Sequence, residues 1–494
     1  MRLLSGQAGF WRAAVCAGLM LNAAAFGQTS GTQSPPAPSP APLTDRTPGA
    51  TESAGRPAYL QLRYDEDWSF LGDKSKRSDW LDPIKYVSLG REGWYVTVGG
   101  EVRLRYENFR NETWGSEPAD NNGFWLQRLM LHADWHFGER VRVFSQLKSG
   151  AIEDRVGGPR PPDKDDLDVH QLFVDYNFST EKNRSLTLRV GRQEMSFGSS
   201  RLVGFREGPN IRLSFDGVRL LGNYKQWTLD AFAVKPVAVD PGFFDDGPLH
   251  GQSLWGVYAV HPFRLIAEDD QVDVYYFGLD KKRARFNQGA AREIRHTVGT
   301  RIWKSSQPLD YNYELVYQFG SFGKGRINAW TAASDTGYTF AKAPLRPRLG
   351  FKANVTSGDK DPNDPDLETF NALFPKGAYF GELSPIGPYN HMDLHPAINL
   401  KLHKQVELLT EWVWYWRTST RDGLYGVPGN LERTGNTSRE RFVGQSFYTG
   451  LHVDLDRHTT FDTVFARFWV GAFLRDVPPA RNTTYFSAWL TYKF

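Results

Sequence analysis

From Trp94 to the end of the chain, hydrophobic and polar residues alternate with period two. The final stretch, YFSAWLTYKF (485–494), sets Phe486, Ala488, Leu490, Tyr492 and Phe494 on one face of an extended backbone, with Tyr485, Ser487, Thr491 and Lys493 opposite. Val96, Val98, Val102, Leu104 and Tyr106 repeat the pattern against Glu101, Arg103 and Arg105. So do Tyr311, Tyr313, Leu315, Tyr317 and Phe319 against Glu314 and Gln318, and Leu349, Phe351, Ala353 and Val355 against Lys352, Asn354 and Thr356. Each such segment has the wrong period for a helix and is bounded by turn residues. Eighteen are found: 95–107, 125–137, 140–151, 168–178, 185–198, 214–224, 226–237, 253–263, 271–281, 293–304, 309–321, 325–340, 347–358, 389–403, 405–419, 446–457, 460–476 and 483–494.

The connections carry a second signal. Short ones (138–139, 179–184, Lys225, 264–270, Lys404, 458–459) alternate with long polar ones (108–124, 152–167, 199–213, 238–252, 359–388, 420–445). Only the short gap at Phe322, Gly323 and Lys324 and the medium one at 341–346 depart from this. A membrane barrel has tight turns at one rim and long loops at the other. Here the long loops follow odd-numbered segments, so both termini fall on the short-turn, periplasmic rim. The fold expected is all-β: a transmembrane antiparallel β-barrel of eighteen strands with a disordered N-terminal linker. Closure pairs every backbone group in lipid, which an open sheet does not do, and a barrel this wide is expected to hold a water-filled bore.

Composition supports that reading. A mean hydropathy of -0.50 with 14% aromatic residues and 47 glycines leaves little continuous apolar sequence but much large apolar surface. No stretch beyond the N-terminus approaches the ~18 apolar residues of a spanning helix. Residues 1–27 read as a secretory signal, with Arg2 and Arg12, an apolar stretch at 13–26 and a small-residue cleavage site at Ala25, Phe26 and Gly27. Residues 28–58 are a Pro/Ser/Thr-rich linker, 59–93 a periplasmic or plug-like segment, and 94–494 the outer-membrane barrel. The sole cysteine, Cys16, lies in the signal, which excludes disulfides and cysteine metal sites in the mature chain. A net charge of +3 gives no reason to expect nucleic acid as a partner.

Three features then converge on a family. The stretch GRQEMSFGSSRLVGFREGPNIRLSFDGVRL (191–220), the motif YDEDWSFL (64–71) and the Phe-terminated last strand resemble bacterial alginate-export outer-membrane porins, over roughly residues 59–494. The resemblance implies an arginine-rich lumen passing an alginate-like anionic polysaccharide by passive diffusion, with no cofactor. It also implies outer-membrane lipid, a periplasmic export scaffold and the barrel-assembly machinery, which reads the terminal Phe, as partners. An uptake porin for small anionic sugar acids is the alternative.

The sign of the inward face tests an anion conduit. The polar registers place Arg103, Arg105, Arg128, Arg142, Lys148, Arg189, Arg219, Arg295, Arg301, Lys352, Arg417, Arg467 and Lys493 inward, against Glu101, Asp134, Asp175, Glu314, Glu407, Glu411 and Asp454. Such a cationic surplus in a low-dielectric wall focuses a field that draws anions, and the arginine fork matches carboxylates. The bland alternative is a wall of salt bridges. The candidate pathway is Arg103, Arg105, Arg128, Arg142, Arg189, Arg219, Arg301, Lys352 and Arg467, together with Arg201, Arg206 and Arg212 on 199–213, a loop long enough to constrict the lumen or to stay outside. Other chemistries are weak. DKDPNDPDLE (359–368) lacks the glycine and final glutamate of a calcium loop and reads as a solvated outer loop. His132 and His136 would lie about 13 Å apart on a strand, too far to share a metal. Ser446 and His452 follow no catalytic spacing, so no enzyme is expected.

Overall fold

The computed structural model describes residues 58–181, 183–377, 383 and 385–494; the expected signal and nearly all of the linker lie outside the described residues. Eighteen strands run antiparallel around a closed sheet. They are β1 (Trp94–Arg110), β2 (Phe124–Phe137), β3 (Val141–Glu153), β4 (Asp165–Glu181), β5 (Arg184–Gln193), β6 (Phe215–Tyr224), β7 (Trp227–Ala238), β8 (Gln252–Pro262), β9 (Gln271–Phe286), β10 (Gly289–Lys304), β11 (Leu309–Phe322), β12 (Gly325–Thr339), β13 (Arg348–Thr356), β14 (His391–His403), β15 (Val406–Arg417), β16 (Phe442–Asp454), β17 (Thr459–Val470) and β18 (Thr483–Lys493). Every expected segment overlaps one of them.

β18 pairs with β1 from Glu101↔Lys493 to Arg110↔Thr484, and this closes the cylinder. Just below, Gly100 and Phe494 exchange backbone hydrogen bonds of 2.8 and 3.0 Å. A Cβ on Gly100 would meet the Phe494 ring at 2.6 Å, so the terminal aromatic seats itself where the strand has no side chain.

Strand ends differ from the sequence reading where residues prefer other partners. Residues 471–476 leave the wall as a short helix (Ala472–Asp476), because Phe473 and Leu474 bury against Trp114 and Phe468 above the bore. At the loop-bearing rim, β9–β10 and β11–β12 instead join by tight hairpins, Phe286↔Gly289 and Phe322↔Gly325. Gly323 supplies the positive φ (58°) that the second turn requires.

The outer surface is the apolar register. Leu104, Val174, Leu220, Leu315, Phe351 and Leu490 point outward and are exposed. Aromatic pairs mark both edges of this band: Trp94–Phe137 and Tyr176–Phe178 near the short-turn rim, Trp412–Trp469 and Trp416–Phe442 near the opposite one.

The bore is not simply water. Residues 194–214 and 357–377 fold inward, and Phe374 forms a parallel bridge with Val203. Met195, Phe197, Leu202, Phe370 and Phe374 pack on the inward residues Phe232, Leu254, Tyr258 and Phe277. The expectation of an open aqueous lumen is corrected here: wall side chains cannot fill such a barrel, but folded-in loops bring apolar residues of their own. Asp359, Leu367 and Thr369 are buried as well, so 359–368 is not wholly the solvated outer loop expected.

A cation placed in the outward register should be costly. Leu490→Arg is expected to lower stability by roughly 2–4 kcal/mol if it sits near the bilayer midplane, measured by urea titration of protein folded into phosphatidylcholine vesicles, while Thr491→Arg on the inward face of the same strand loses much less.

Candidate functional site

Buried charge lines the inward faces of β1–β6 and β18 and continues on β9–β15. Three wall arginines hold loop 194–214. Arg103 donates to the carbonyls of Glu207 (3.1 Å) and Pro209 (3.0 Å), and Arg105 donates to the Gly208 carbonyl at 3.0 Å. Arg128 bonds the Glu101 carboxylate at 2.6 Å and also the carboxylate of Glu207. Asn210 ties the loop to the Gln127 and Asp163 carbonyls, each at 2.9 Å. Glu207 is drawn in opposite directions: burial favours its neutral form, but Arg128, Arg212 and Arg103 outweigh burial and hold the carboxyl below its ordinary value. The loop therefore enters the lumen, and its anchors are residues that the sequence placed on the pathway.

A second set surrounds the N-terminal segment. Its short turns and the helix Asp82–Lys85 pack Tyr59, Trp68, Leu71 and Tyr86 together, and a two-residue strand, Val87–Ser88, pairs with Tyr95 and Val96 of β1. Tyr64 reaches into the bore. Its ring meets Phe144 and Phe173 edge-on, its hydroxyl donates to the Glu194 carbonyl at 2.9 Å, and the Arg189 guanidinium lies 4.4 Å from its centroid. Arg142 donates to the Tyr64 carbonyl, and Arg212 donates to the Gln61 carbonyl at 2.8 Å. Arg63 donates to Gly100 O (2.9 Å) and Phe494 O (2.8 Å), bridging the two strands at the seam.

Most pathway cations also hold an acid. Arg142 pairs with Asp134 at 2.7 Å, Arg189 with Asp175 at 2.7 Å, Arg219 with Asp230 at 2.5 Å, Arg212 with Glu194 at 2.8 Å, Arg301 with Asp273 at 2.8 Å and Lys352 with Glu411 at 3.3 Å. Arg201 lies 3.5 Å from Glu314. Arg206 sits at positive φ (58°) in the loop and has no carboxylate partner among the described residues.

Two expectations are corrected. Arg467 does not face the lumen: on β17 the inward residues are Val464, Ala466 and Phe468, and Arg467 is exposed on the outer face beside Phe465. The wall also carries more acid than polarity revealed, because Glu107, Asp230, Asp273, Glu293, Asp335 and Asp393 are buried on its inner side. The calculated cationic surplus thus dissolves into local pairs. Sequence reasoning also missed Tyr64 and Glu194. The only signal for Tyr64 was the position of YDEDWSFL outside any alternating segment.

A cavity of about 130 Å³ opens at the short-turn end of β10–β15, where Arg301, Arg346, Arg348 and Lys401 line it with Asp310, Asp335 and Glu407 beside Trp303 and Tyr311. The remaining candidates behave as pairs within the wall. His136 lies 3.1 Å from Asp134, while His132 stacks on Phe144. Ser446 contacts the Tyr415 hydroxyl at 3.2 Å, while His452 binds Asp454 and Asp462.

The chain matches the family model described as Alginate export over residues 94–487. No curated protein matches it. Its fold is similar to that of a BenF-like porin from Pseudomonas fluorescens Pf-5, with 10% identity, a TM-score of 0.55, and coverage of 81% of this chain and 98% of that one. OccK8 (OprE) of Pseudomonas aeruginosa aligns with 12% identity and a TM-score of 0.53, covering 81% and 98%. OccK2 (OpdF) of Pseudomonas aeruginosa, solved with glucuronate, aligns with 10% identity and a TM-score of 0.51, covering 81% and 95%.

One buried amine gives a pH test. Lys85 lies against the Tyr59 and Trp68 rings, 5.3 and 5.2 Å from their centroids, and its Nζ has no hydrogen-bond partner among the described residues. Burial, with Arg63 adding repulsion, pushes its pKa down from 10.5 to about 7. Between those values the released segment binds the proton and the docked one does not, so docking strengthens as pH rises from about 7 to 10.5 and is weakest below 7. Resistance of residues 58–93 to proteolysis should rise across that window, and Lys85→Met should flatten the profile.

Proposed function

The chain belongs to the alginate-export family, and on that premise we propose that this bacterial outer-membrane channel passes an anionic, alginate-like polysaccharide by passive diffusion along its arginine-bearing wall. The supporting observation is the cluster Arg103, Arg105, Arg128, Arg206 and Arg212 around the inserted loop. The guanidiniums of Arg103, Arg105, Arg128 and Arg212 are held by backbone carbonyls and by Glu101, Glu194 and Glu207, and a substrate carboxylate offers the same acceptor geometry. Passage is then an exchange of one carboxylate for another, each contact weak enough in net terms to release. Arg206, lacking a carboxylate partner among the described residues, is the first contact in this scheme. Residues 59–93 act as a plug at the periplasmic mouth, and a periplasmic scaffold that delivers polymer displaces them.

Uptake of small anionic sugar acids is the second reading. It draws on the neighbour solved with glucuronate and on the cavity of about 130 Å³, whose size and mixed aromatic, basic and acidic lining suit a small solute better than a polymer. Both readings describe a channel rather than an enzyme.

Replacing Arg103, Arg105 and Arg128 with Ser removes three of the loop's anchors and leaves Glu101 without Arg128, a loss of roughly 3–5 kcal/mol for that broken buried pair, while Glu207 keeps Arg212 at 3.3 Å. In planar bilayers the triple variant should show higher conductance and lower anion preference, with heat-modifiable migration of the barrel retained. Unchanged selectivity would remove these residues from the pathway. Block of the current by oligouronate added on the periplasmic side supports export, and block only by monomeric uronate supports uptake.

A further inference from the structure

At the rim opposite the termini, the outer wall carries cations where neighbouring faces are apolar. Arg110 of β1 pairs in register with Thr484 of β18, which pairs with Arg467 of β17. All three belong to the outward register, so the two arginines stand about two strand spacings, roughly 10 Å, apart on the lipid side. Below them the same faces hold Tyr106, Phe486, Phe465, Leu104 and Leu490. The row therefore marks the upper boundary of the apolar band.

Above it, Arg467 lies 5.6 Å from the Trp469 ring, and Trp469 stacks on Trp412 at 5.4 Å. Trp469, Phe442, Val470, Asn482 and Arg475 line a groove of about 480 Å³ on the outer surface. Among the described residues, neither Arg110, Arg467 nor Arg475 has a carboxylate partner. Several other outward arginines do: Arg192 with Asp216 at 2.8 Å, Arg292 with Asp280 at 2.7 Å and Arg326 with Asp366 at 3.0 Å, while Arg184 of β5 and Arg285 of β9, also outward, have none among the described residues. The outer face here thus presents Arg110 and Arg467 beside an aromatic groove bordered by Arg475, which donates to the Val470 carbonyl at 2.9 Å, an arrangement that suits an anion carrying acyl chains.

We propose that Arg110, Arg467 and Arg475 bind the phosphates of an outer-leaflet phosphorylated glycolipid, with an acyl chain against Trp469 and Phe442. The planar guanidinium donates paired hydrogen bonds to a phosphate, and the tryptophan rings accept the sugar–acyl boundary of the lipid. The long-loop rim faces the leaflet in which such lipids reside, so depth and charge agree.

Full-length protein in phosphatidylcholine vesicles is titrated with purified lipid A, with lipid A stripped of its phosphates, and with inorganic phosphate, and bound lipid is counted by native mass spectrometry. Intact lipid A should remain bound, and Arg110→Ser/Arg467→Ser/Arg475→Ser should weaken retention by about tenfold or more, as loss of charge-assisted contacts dictates. Arg467→Lys, which keeps the charge but loses the fork, should fall between. Lys235→Ser, an outward cation on the far side of the barrel, should leave retention unchanged. Equal retention of dephosphorylated lipid A, equal retention by the triple variant in its heat-modifiable folded form, or full displacement by inorganic phosphate overturns the proposal.

Discussion

Lipid offers no partner to a backbone amide, and this constraint shapes the rest of the molecule. Each strand must pair on both edges, so the sheet must close on itself. Closure puts β1 against β18 and fixes their register from Glu101↔Lys493 to Arg110↔Thr484. Once the register is fixed, period-two alternation decides which side chains meet lipid and which face inward. The positions of Arg103, Arg105 and Arg128 follow from that choice.

Closure also creates a volume that eighteen strands cannot fill with their own side chains. Two inserted loops and the N-terminal segment occupy it in chemically different ways. Across β6–β12 they bring phenylalanines to inward phenylalanines and tyrosines, and across β1–β6 they bring carbonyls and carboxylates to inward arginines. Burying those guanidiniums unpaired would cost several kcal/mol each, so nearly all of them hold an acid or a carbonyl. If the proposed anionic substrate enters, it meets contacts of a kind that its own carboxylates can replace.

The strands were legible because alternation is local: each outward Leu, Val or Phe sits two residues from the next, and lipid enforces the pattern. The charge balance was not. Asp230 faces Arg219, and Asp273 faces Arg301, through pairings between strands that no single segment displays. Arg467 was misassigned because β17 has aromatic residues on both faces, Phe468 inward with Phe465 and Trp469 outward, so polarity could not choose its register. The inward folding of 194–214 and 357–377 leaves no periodic trace, since its cause is the match between Phe374 or Phe197 and wall residues remote in sequence.

Arg63 grips two carbonyls, those of Gly100 and Phe494, that the chain contributes from opposite ends of its barrel. That docking cradle does not exist until β18 has zipped to β1. Part of the N-terminal segment's grip is thus a readout of a finished wall: were the seam open, Arg63 would lose both carbonyls at once, although Val87–Ser88 could still pair with β1.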